Sequence, residues 1–251
     1  MKTTGNTILI TGGGSGIGRA LAERFHARGN HVIVAGRRRA LLDDMIAGRE
    51  GMAALELDVA DAGSVSAAAA EVSERFSDLN VLINNAGISG SENLTENAWN
   101  VSVAEAIIAT NITGVLRLTG ALLPMLKQRS NAAIITTTSG LAYVPLASAP
   151  TYSATKAFLH SWLQSLRHQL RNDDVEVLEL SPPYVQTELT GPDQASDPYA
   201  MPLDDYADEV MALIEAGDLP DDEVLVERVM RFRAAEREGR YAAAFAQGNP
   251  S

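Results

Sequence analysis

Tyr152 and Lys156 stand four residues apart, a spacing that places both side chains on one face of a helix. Ser139 precedes the tyrosine by thirteen residues and follows an apolar run. A phenol is a poor base at neutral pH, but a cation at about 4 Å would lower its pKa by ~3 units at an effective dielectric constant of ~20. These residue types therefore predict general acid–base chemistry in which Lys156 activates Tyr152. Taken alone, the pair also fits a structural role in an ordinary helix.

A glycine-rich turn lies near the N-terminus, between an apolar run that predicts a strand and an amphipathic pattern that predicts a helix. Small residues let the backbone approach a pyrophosphate, and a helix N-terminus supplies N–H groups and the positive end of a dipole. The turn lacks the Gly-Lys-Ser/Thr ending of a P-loop kinase or ATPase, so it predicts dinucleotide binding. The residues expected to hold the cofactor here are Gly12, Ser15, Gly16, Ile17 and Gly18.

The end of the second predicted strand indicates the type of cofactor. Gly36 stands where an NAD-binding unit would carry an acidic residue for the ribose 2′-hydroxyl. Arg37, Arg38 and Arg39 follow it in a chain of formal net charge −12. A 2′-phosphate would stabilise such a cluster through charge-assisted hydrogen bonds, and a solvated basic patch is the alternative. We expect NADP(H) to be favoured over NAD(H), with Arg37 as the main phosphate partner and with Ser15 and Arg38 assisting.

Short apolar runs alternate with longer amphipathic patterns along most of the chain. Such alternation predicts β-α-β units, and strands that are apolar throughout predict a parallel sheet covered on both faces. The predicted strands are residues 7–10, 31–35, 53–57, 81–83, 132–137, 175–179 and 224–226. The predicted helices are residues 17–28, 38–47, 62–76, 101–126, 151–170, 203–216 and 229–238. We expect one α/β domain over residues 1–251, with a doubly wound (Rossmann) parallel sheet of about seven strands flanked by helices.

Residues 181–202 interrupt this alternation with five prolines. The segment begins where the sixth predicted strand ends, at the edge where open α/β sheets bind ligands. Its apolar residues are separated by Pro, Asp and Gly, which predicts few anchoring contacts. We expect a mobile substrate lid at about 181–202, and a surface excursion is the alternative.

Composition excludes several classes of protein. The chain has 251 residues and no cysteine, which excludes disulfides, thiolate metal sites and cysteine nucleophiles. Its 20 Lys and Arg against 32 Asp and Glu disfavour a nucleic-acid partner. The four histidines lack ligand spacing, so no metal site is expected. The apolar runs are interrupted well before 18 residues and no secretory signal is evident, so we expect no membrane partner and a cytoplasmic location.

Further short motifs follow one another in a fixed order: Thr11-Gly12-x3-Gly16-x-Gly18, Asp58-Val59, Asn84-Asn85-Ala86-Gly87, Asn111, Ser139, Tyr152-x3-Lys156 and Pro182-x4-Thr187. In this order and spacing they resemble the short-chain dehydrogenase/reductase family over residues 7 to about 187. The ending Gly239-Arg240-Tyr241-Ala242 is similar to the DltE-like oxidoreductase branch of that family.

The resemblance implies a role for each matching residue. Tyr152 would be the general acid/base, and Ser139 would hydrogen-bond the substrate oxygen. Lys156 would bind the nicotinamide ribose and lower the pKa of Tyr152, while Asn111 would hold a water that connects Lys156 to solvent. The remaining residues implied to contact the cofactor are Asp58, Val59, Asn85, Ala86, Gly87, Pro182, Val185 and Thr187.

One position departs from the family pattern. Pro183 stands where a glycine is usual, and a proline there removes an N–H group and fixes φ, so the contacts to the nicotinamide carboxamide are expected to change. The predicted substrate wall is mostly apolar, which favours a small or medium apolar ketone or alcohol. The residues expected to form that wall are Tyr143, Leu146, Tyr184 and Leu189.

We therefore expect an NADP(H)-dependent oxidoreductase that transfers a hydride between nicotinamide and a carbonyl or secondary alcohol. Two alternatives stay open: an epimerase or lyase on the same scaffold, and a non-enzymatic NADP-binding regulatory protein. The predicted helices 101–126 and 151–170 carry apolar residues on more than one face, and the resemblance implies that they pair across a two-fold axis. A homodimer or homotetramer is expected.

Overall fold

Seven strands form one parallel sheet in the computed structural model, which describes residues 1–95 and 99–249. The strands are β1 (Thr7–Thr11), β2 (His31–Gly36), β3 (Met52–Glu56), β4 (Val81–Asn84), β5 (Ala132–Thr137), β6 (Val175–Ser181) and β7 (Glu223–Leu225). Their order across the sheet is β3-β2-β1-β4-β5-β6-β7, and every neighbouring pair is parallel. The chain reverses its direction of travel between β1 and β4, the place where doubly wound sheets bind ligands. The predicted fold class is confirmed.

Helices cover both faces of this sheet. They are α1 (Gly16–Ala27), α2 (Arg39–Ile46), α3 (Ala62–Arg75), α4 (Ser102–Ile108), α5 (Val115–Leu126), α6 (Pro150–Gln169), α7 (Leu203–Ala216), α8 (Glu227–Arg233) and α9 (Tyr241–Gly248). In place of the helix predicted at 229–238 the structure has α8, which begins two residues earlier and is shorter. Helix α9 was not predicted, although its alanine-rich sequence favours a helix.

The two faces of the sheet belong to two apolar cores, which explains why its central strands are apolar throughout. Ile8 and Ile10 of β1 pack with side chains of α1, α2 and α7, whereas Leu9 between them packs with side chains of α3, α5 and α6. All five residues of β1 are buried. Burial on both faces fixes the strand ends in space, and the site described below is built on those ends.

The longest helical stretch, Ser102–Leu126, contains α4, a π-helix at Ala109–Gly114 and α5. Its mean hydropathy reaches 1.5 over an 18-residue window, so length and composition would allow it to cross a membrane, contrary to expectation. Within the fold, however, α5 packs against α3 and α4 packs against α6. Core helices pass the same test of length and composition, and this packing accounts for the apolar sequence.

Candidate active site

The turn between β1 and α1 is a close-packed backbone cradle. Gly12 has a φ of +68°, in the left-handed region that favours glycine. A Cβ on Gly18 would stand 2.4 Å from the Gly12 carbonyl oxygen and 2.5 Å from Asn85 Nδ2, so no side chain fits there. The first turn of α1 carries no acidic residue. A bare backbone at a helix N-terminus is the arrangement that binds the diphosphate of a dinucleotide.

A cleft of about 820 Å³ runs from this turn along the carboxyl ends of the strands to Tyr152 and Lys156. Its volume suits a cofactor together with part of a substrate. All the residues predicted to hold the cofactor line the cleft except Gly18, which packs beneath the turn. The lining members are Gly12, Ser15, Gly16, Ile17, Arg37, Arg38, Asp58, Val59, Asn85, Ala86, Gly87, Lys156, Pro182, Val185 and Thr187.

The loop after β4 is tied to the end of β1. Thr11 Oγ1 accepts hydrogen bonds from the backbone N–H groups of Asn85 at 2.9 Å and Ala86 at 3.0 Å. Asn85 Nδ2 donates in turn to the Thr11 carbonyl oxygen at 3.1 Å. A Cβ on Gly87 would stand 3.8 Å from Lys156 Nζ. These bonds hold the loop as a fixed wall between the glycine turn and the end of the cleft that contains Tyr152 and Lys156.

The three arginines after β2 have different surroundings. Arg38 Nη2 donates to Ser15 Oγ at 2.7 Å, which joins this loop to the glycine turn. Arg39 forms an ion pair with Asp43 at 2.8 Å, one helical turn along α2. Within residues 1–95 and 99–249, Arg37 makes neither a hydrogen bond nor an ion pair, although it lines the cleft. Its guanidinium is therefore available to an anion.

The residues after β3 form another part of the wall. Asp58 Oδ1 accepts a hydrogen bond from the Ala60 N–H at 3.0 Å, and the Asp58 N–H donates to Ser64 Oγ at 3.0 Å. Val59 packs against Gly114, where an added Cβ would stand 2.9 Å from Val59 Cβ. This segment is therefore held between α3 and the π-helix.

Ser139, Tyr152 and Lys156 all line the cleft and lie close to one another. Ser139 follows β5, and its Oγ accepts a hydrogen bond from the Leu141 N–H at 3.1 Å. Tyr152 and Lys156 lie one turn apart on α6, with Lys156 Nζ 5.5 Å from the centre of the Tyr152 ring. Lys156 Nζ also donates to the Thr137 carbonyl oxygen at 2.8 Å. Both side chains are buried.

Burial controls the ionisation of this pair. It raises the pKa of Tyr152 to about 12, and a hydrogen bond with Ser139 offsets only part of that rise. Burial likewise lowers the pKa of Lys156 to about 8, against the raising effect of the Glu179 carboxylate. Burial and the hydrogen bond with Ser139 are the causes of the Tyr152 pKa shift, and a lowering of that pKa by Lys156 stays a prediction. Tyr152 is protonated at neutral pH.

Asn111 lies in the π-helix, where an uninterrupted α-helix was predicted. Such turns are rare and occur often at functional sites. Its amide pairs with the backbone of Ile88: Oδ1 accepts from the Ile88 N–H at 2.9 Å, and Nδ2 donates to the Ile88 carbonyl oxygen at 2.9 Å. Nδ2 also donates to Thr155 Oγ1 on α6 at 3.2 Å. Asn111 thus joins three segments that border the site, and the water contact implied for it stays a prediction.

The segment after β6 is better anchored than its composition indicated. Val185 and Met201 are buried in the core beside α7, and the Gln186 N–H donates to the Met201 carbonyl oxygen at 2.8 Å. Buried Gln194 supports the interior: its Nε2 donates to the Val185 carbonyl oxygen at 2.7 Å, and its Oε1 accepts from Thr190 Oγ1 at 2.8 Å. The expected lack of anchoring contacts is therefore wrong, and lid motion stays a prediction for the residues between Val185 and Met201.

Of the four predicted substrate residues, only Leu189 is among the residues that line the cleft. Pro183, the residue that departs from the family pattern, lines it as well. Leu146 packs in the small apolar cluster that contains Tyr152 and Ile107. The phenol of Tyr152 therefore has an apolar border on one side.

The other two predicted substrate residues point elsewhere. The Tyr143 hydroxyl lies 3.0 Å from Ser181 Oγ, away from the cleft lining, because a buried phenol needs a polar partner. Tyr184 is 46% exposed, and its hydroxyl donates to Asp197 Oδ2 at 3.1 Å. Its neighbour Val185 faces the core, and successive side chains of an extended segment alternate, so Tyr184 faces outward.

Several cleft residues were not predicted. Most follow the carboxyl end of a strand or flank a predicted site residue, so position alone would have indicated them. They include Gly14, Leu41, Leu57, Ile88, Ser89, Thr137, Thr138, Gln186, Gln194 and Leu203.

Comparison with known proteins identifies the family of the chain. The sequence matches the short chain dehydrogenase family over residues 6–197. It is 42% identical over 189 residues to the uncharacterized oxidoreductase DltE of Bacillus subtilis, covering 75% of each chain. It is 35% identical over 200 residues to the serine 3-dehydrogenase of Agrobacterium fabrum, covering 76% of this chain and 78% of that enzyme.

A solved structure extends the similarity to almost the whole fold. The short chain dehydrogenase of Burkholderia cenocepacia, determined in complex with NADP, is similar with a TM-score of 0.83 and 28% sequence identity. The match covers 98% of this chain and 99% of that one. The protein is therefore an NAD(P)-dependent oxidoreductase that acts on CH–OH or C=O groups of small molecules. The chain belongs to the short-chain dehydrogenase/reductase family and to its DltE-like branch.

Proposed function

We propose that the protein transfers a hydride between NADP(H) and the carbonyl or secondary alcohol carbon of a small or medium apolar substrate, with Tyr152 as general acid/base. The closeness of Ser139, Tyr152 and Lys156 to one another in the lining of the cleft carries this proposal. When bound, the nicotinamide ring supplies or accepts the hydride. The protein's own residues orient the substrate oxygen and move the proton.

Carbonyl reduction is the direction that suits Tyr152. With a pKa of about 12 the phenol is protonated at neutral pH and can donate its proton to the carbonyl oxygen as the hydride reaches the carbon. Ser139 donates a second hydrogen bond to the same oxygen, and the Lys156 ammonium stabilises the phenolate that remains. The balance is one hydride to carbon and one proton to oxygen, which gives the alcohol.

The preference for NADP(H) is supported by the charges at the end of β2. Gly36 leaves no carboxylate to hold a ribose 2′-hydroxyl, and Arg37 lines the cleft as an exposed cation. Arg38 and Ser15 are already joined beside it. A 2′-phosphate would accept hydrogen bonds from these groups, whereas a 2′-hydroxyl would leave the positive charge uncompensated.

The apolar character of the substrate follows from the side chains around the reactive end. Ile88, Pro183 and Leu189 line the cleft there, and Leu146 packs beside Tyr152. A hydrocarbon substituent on the carbonyl carbon would be removed from water against these surfaces at about 25 cal/mol per Å².

NADPH oxidation across a panel of carbonyl compounds tests the proposal. We expect turnover with apolar ketones or aldehydes, and a 10²- to 10⁴-fold loss of kcat, as estimated for a lost general acid, in Tyr152→Phe. Fluorescence titration should show that this variant still binds NADPH. Tyr206→Phe is the matched control, because the hydroxyl of Tyr206 is buried on α7 without a hydrogen-bond partner among the described residues.

Three outcomes would contradict the proposal. They are no NADPH consumption with any carbonyl, full activity of Tyr152→Phe, and conversion of a substrate without net NADPH consumption. The last result would indicate an epimerase or lyase on this scaffold.

A further inference from the structure

A cluster of ionisable side chains lies next to the active site, formed by His160 on α6, Glu179 on β6, Glu223 on β7 and Arg233 on α8. Glu179 is 0% and Glu223 4% exposed. Arg233 binds both carboxylate oxygens of Glu223, with Nε 2.6 Å from Oε2 and Nη2 3.0 Å from Oε1. His160 Nδ1 lies 2.8 Å from Glu179 Oε2. Arg233 is therefore committed to Glu223, and Glu179 has no guanidinium partner among the described residues.

Glu179 is connected to the reactive end of the cleft through β5. Thr138 Oγ1 donates to Glu179 Oε1 at 2.7 Å, and Thr138 immediately precedes Ser139. Lys156 Nζ donates to the carbonyl oxygen of Thr137, the residue before Thr138. Thr137 thus contacts the lysine and Thr138 contacts the Glu179 carboxylate, while the next residue, Ser139, lines the cleft.

Glu179 also acts on Lys156 through its charge. Burial lowers the pKa of Lys156, and the negative charge of Glu179 is the influence that raises it. An ammonium group out of water is stable only beside an opposite charge. Tyr152 is the other titratable group that faces Lys156, and it is neutral at the pH of interest.

We infer that Glu179 is a positioning residue. Its carboxylate fixes the side chain of Thr138, the residue before Ser139, and supplies the negative charge that stabilises the Lys156 ammonium. The inference deepens the proposed function and rests on it for the role of Lys156. Glu179 is held by His160 from α6, by the Tyr143 hydroxyl and by Ser181 of its own strand.

His160 is the group that can compensate the negative charge of Glu179 at acidic pH, because it is hydrogen-bonded to that carboxylate. The hydrogen bond to Glu179 raises the pKa of His160. Below that pKa the imidazolium neutralises Glu179, and its stabilisation of Lys156 weakens. Above it Glu179 keeps its full negative charge, and Arg233 and Glu223 compensate each other one strand away.

The composition of the chain makes a direct test practical. The sequence contains three lysines, Lys2, Lys127 and Lys156, and of these only Lys156 is buried. NMR of the protein labelled with ¹³C-lysine therefore gives three side-chain signals, and the signal missing from Lys156→Arg belongs to Lys156. Its titration midpoint is expected near 8 in the wild type.

Glu179→Gln should lower that midpoint by about one pH unit, the order expected from removing one nearby charge at protein dielectric, which is a tenfold weaker proton affinity. Glu223→Gln removes an equally buried carboxylate from the same cluster and should leave the midpoint unchanged. Glu179→Asp keeps the charge and should retain most of the wild-type value. If Glu179→Gln does not fold, Glu179→Leu replaces it, because Thr138, Ser181 and Tyr143 can hydrogen-bond one another.

An unchanged Lys156 midpoint in the Glu179 variants, or an equal shift in Glu223→Gln, would overturn the inference. A loss of thermal stability without a shift would show that the role of Glu179 is structural only. The alkaline limb of the kcat profile should move to lower pH in Glu179→Gln. Absence of carbonyl reduction in the wild type would contradict the proposed function, while the NMR titration would still decide the role of Glu179.

Discussion

Arg38 donates a hydrogen bond to Ser15 across 2.7 Å, which ties the end of β2 to the turn that precedes α1. The contact occupies Arg38 and leaves Arg37 as the cation without a partner among the described residues at this end of the cleft. The Arg38–Ser15 pair beside the guanidinium of Arg37 is suited to bind a phosphate monoester. Two of the three side chains are already held in place before the phosphate binds, so less conformational entropy is lost on binding.

Arg37→Asp should weaken NADPH binding by about 2–3 kcal/mol, the range for loss of a charge-assisted contact, and should leave NADH binding nearly unchanged. Fluorescence titration with each cofactor measures both affinities. Arg39→Asp is the matched control, because Arg39 is paired with Asp43. Equal affinity of the wild type for NADPH and NADH would contradict the predicted preference.

Gly18→Ala should disrupt the close-packed backbone of the turn between β1 and α1. Its Cβ would stand 2.4 Å from the Gly12 carbonyl oxygen, and backbone cannot yield as a flexible side chain does. We expect a destabilisation of about 1–3 kcal/mol by overpacking and at least a tenfold weaker dinucleotide affinity, measured by denaturant unfolding and fluorescence. Gly120→Ala on α5 is the control, because its Cβ meets nothing within 4 Å and alanine favours a helix by about 1 kcal/mol. Wild-type binding by Gly18→Ala would show that the turn does not hold the cofactor.

The strands, most helices and the place of Ser139, Tyr152 and Lys156 in one cleft could be predicted because local patterns specify them. Apolar runs determine the buried strands, and a four-residue spacing determines that Tyr152 and Lys156 share a face. The orientation of Tyr143 could not be predicted, because its partner Ser181 is brought to it only by the pairing of β5 with β6. Nor could the ion cluster, because its members lie far apart along the chain.

The residues between Val185 and Met201 should exchange their amide hydrogens quickly in the free protein and slowly with NADP(H) and an inhibitor bound. The amides of Gln186 and Met201 are hydrogen-bonded across the base of the segment and should be slow in both states. Hydrogen–deuterium exchange with mass spectrometry measures this contrast. Equal protection of the whole segment in both states would show a fixed wall instead of a lid.

Four of the large apolar side chains on and near α4 and α6 that are between 37% and 48% exposed predict a homodimer or homotetramer. They are Val101, Val103, Ile108 and Phe158. Light scattering at micromolar concentration measures the mass. Ile108→Glu and Phe158→Glu should produce monomers, whereas Met230→Glu on α8, with similar exposure, should not. A monomeric wild type would refute the prediction.

The π-helix at Ala109–Gly114 also changes the direction in which the side chains of α5 point relative to those of α4. Each residue of an α-helix advances the side chains by about 100°, so one extra residue turns everything beyond it by that angle. Helix α4 can therefore present its apolar side to α6 while α5 presents its own to α3. Deleting a single residue from this turn would swing Leu118 and Leu122 out of their core, although no apolar residue would have been lost.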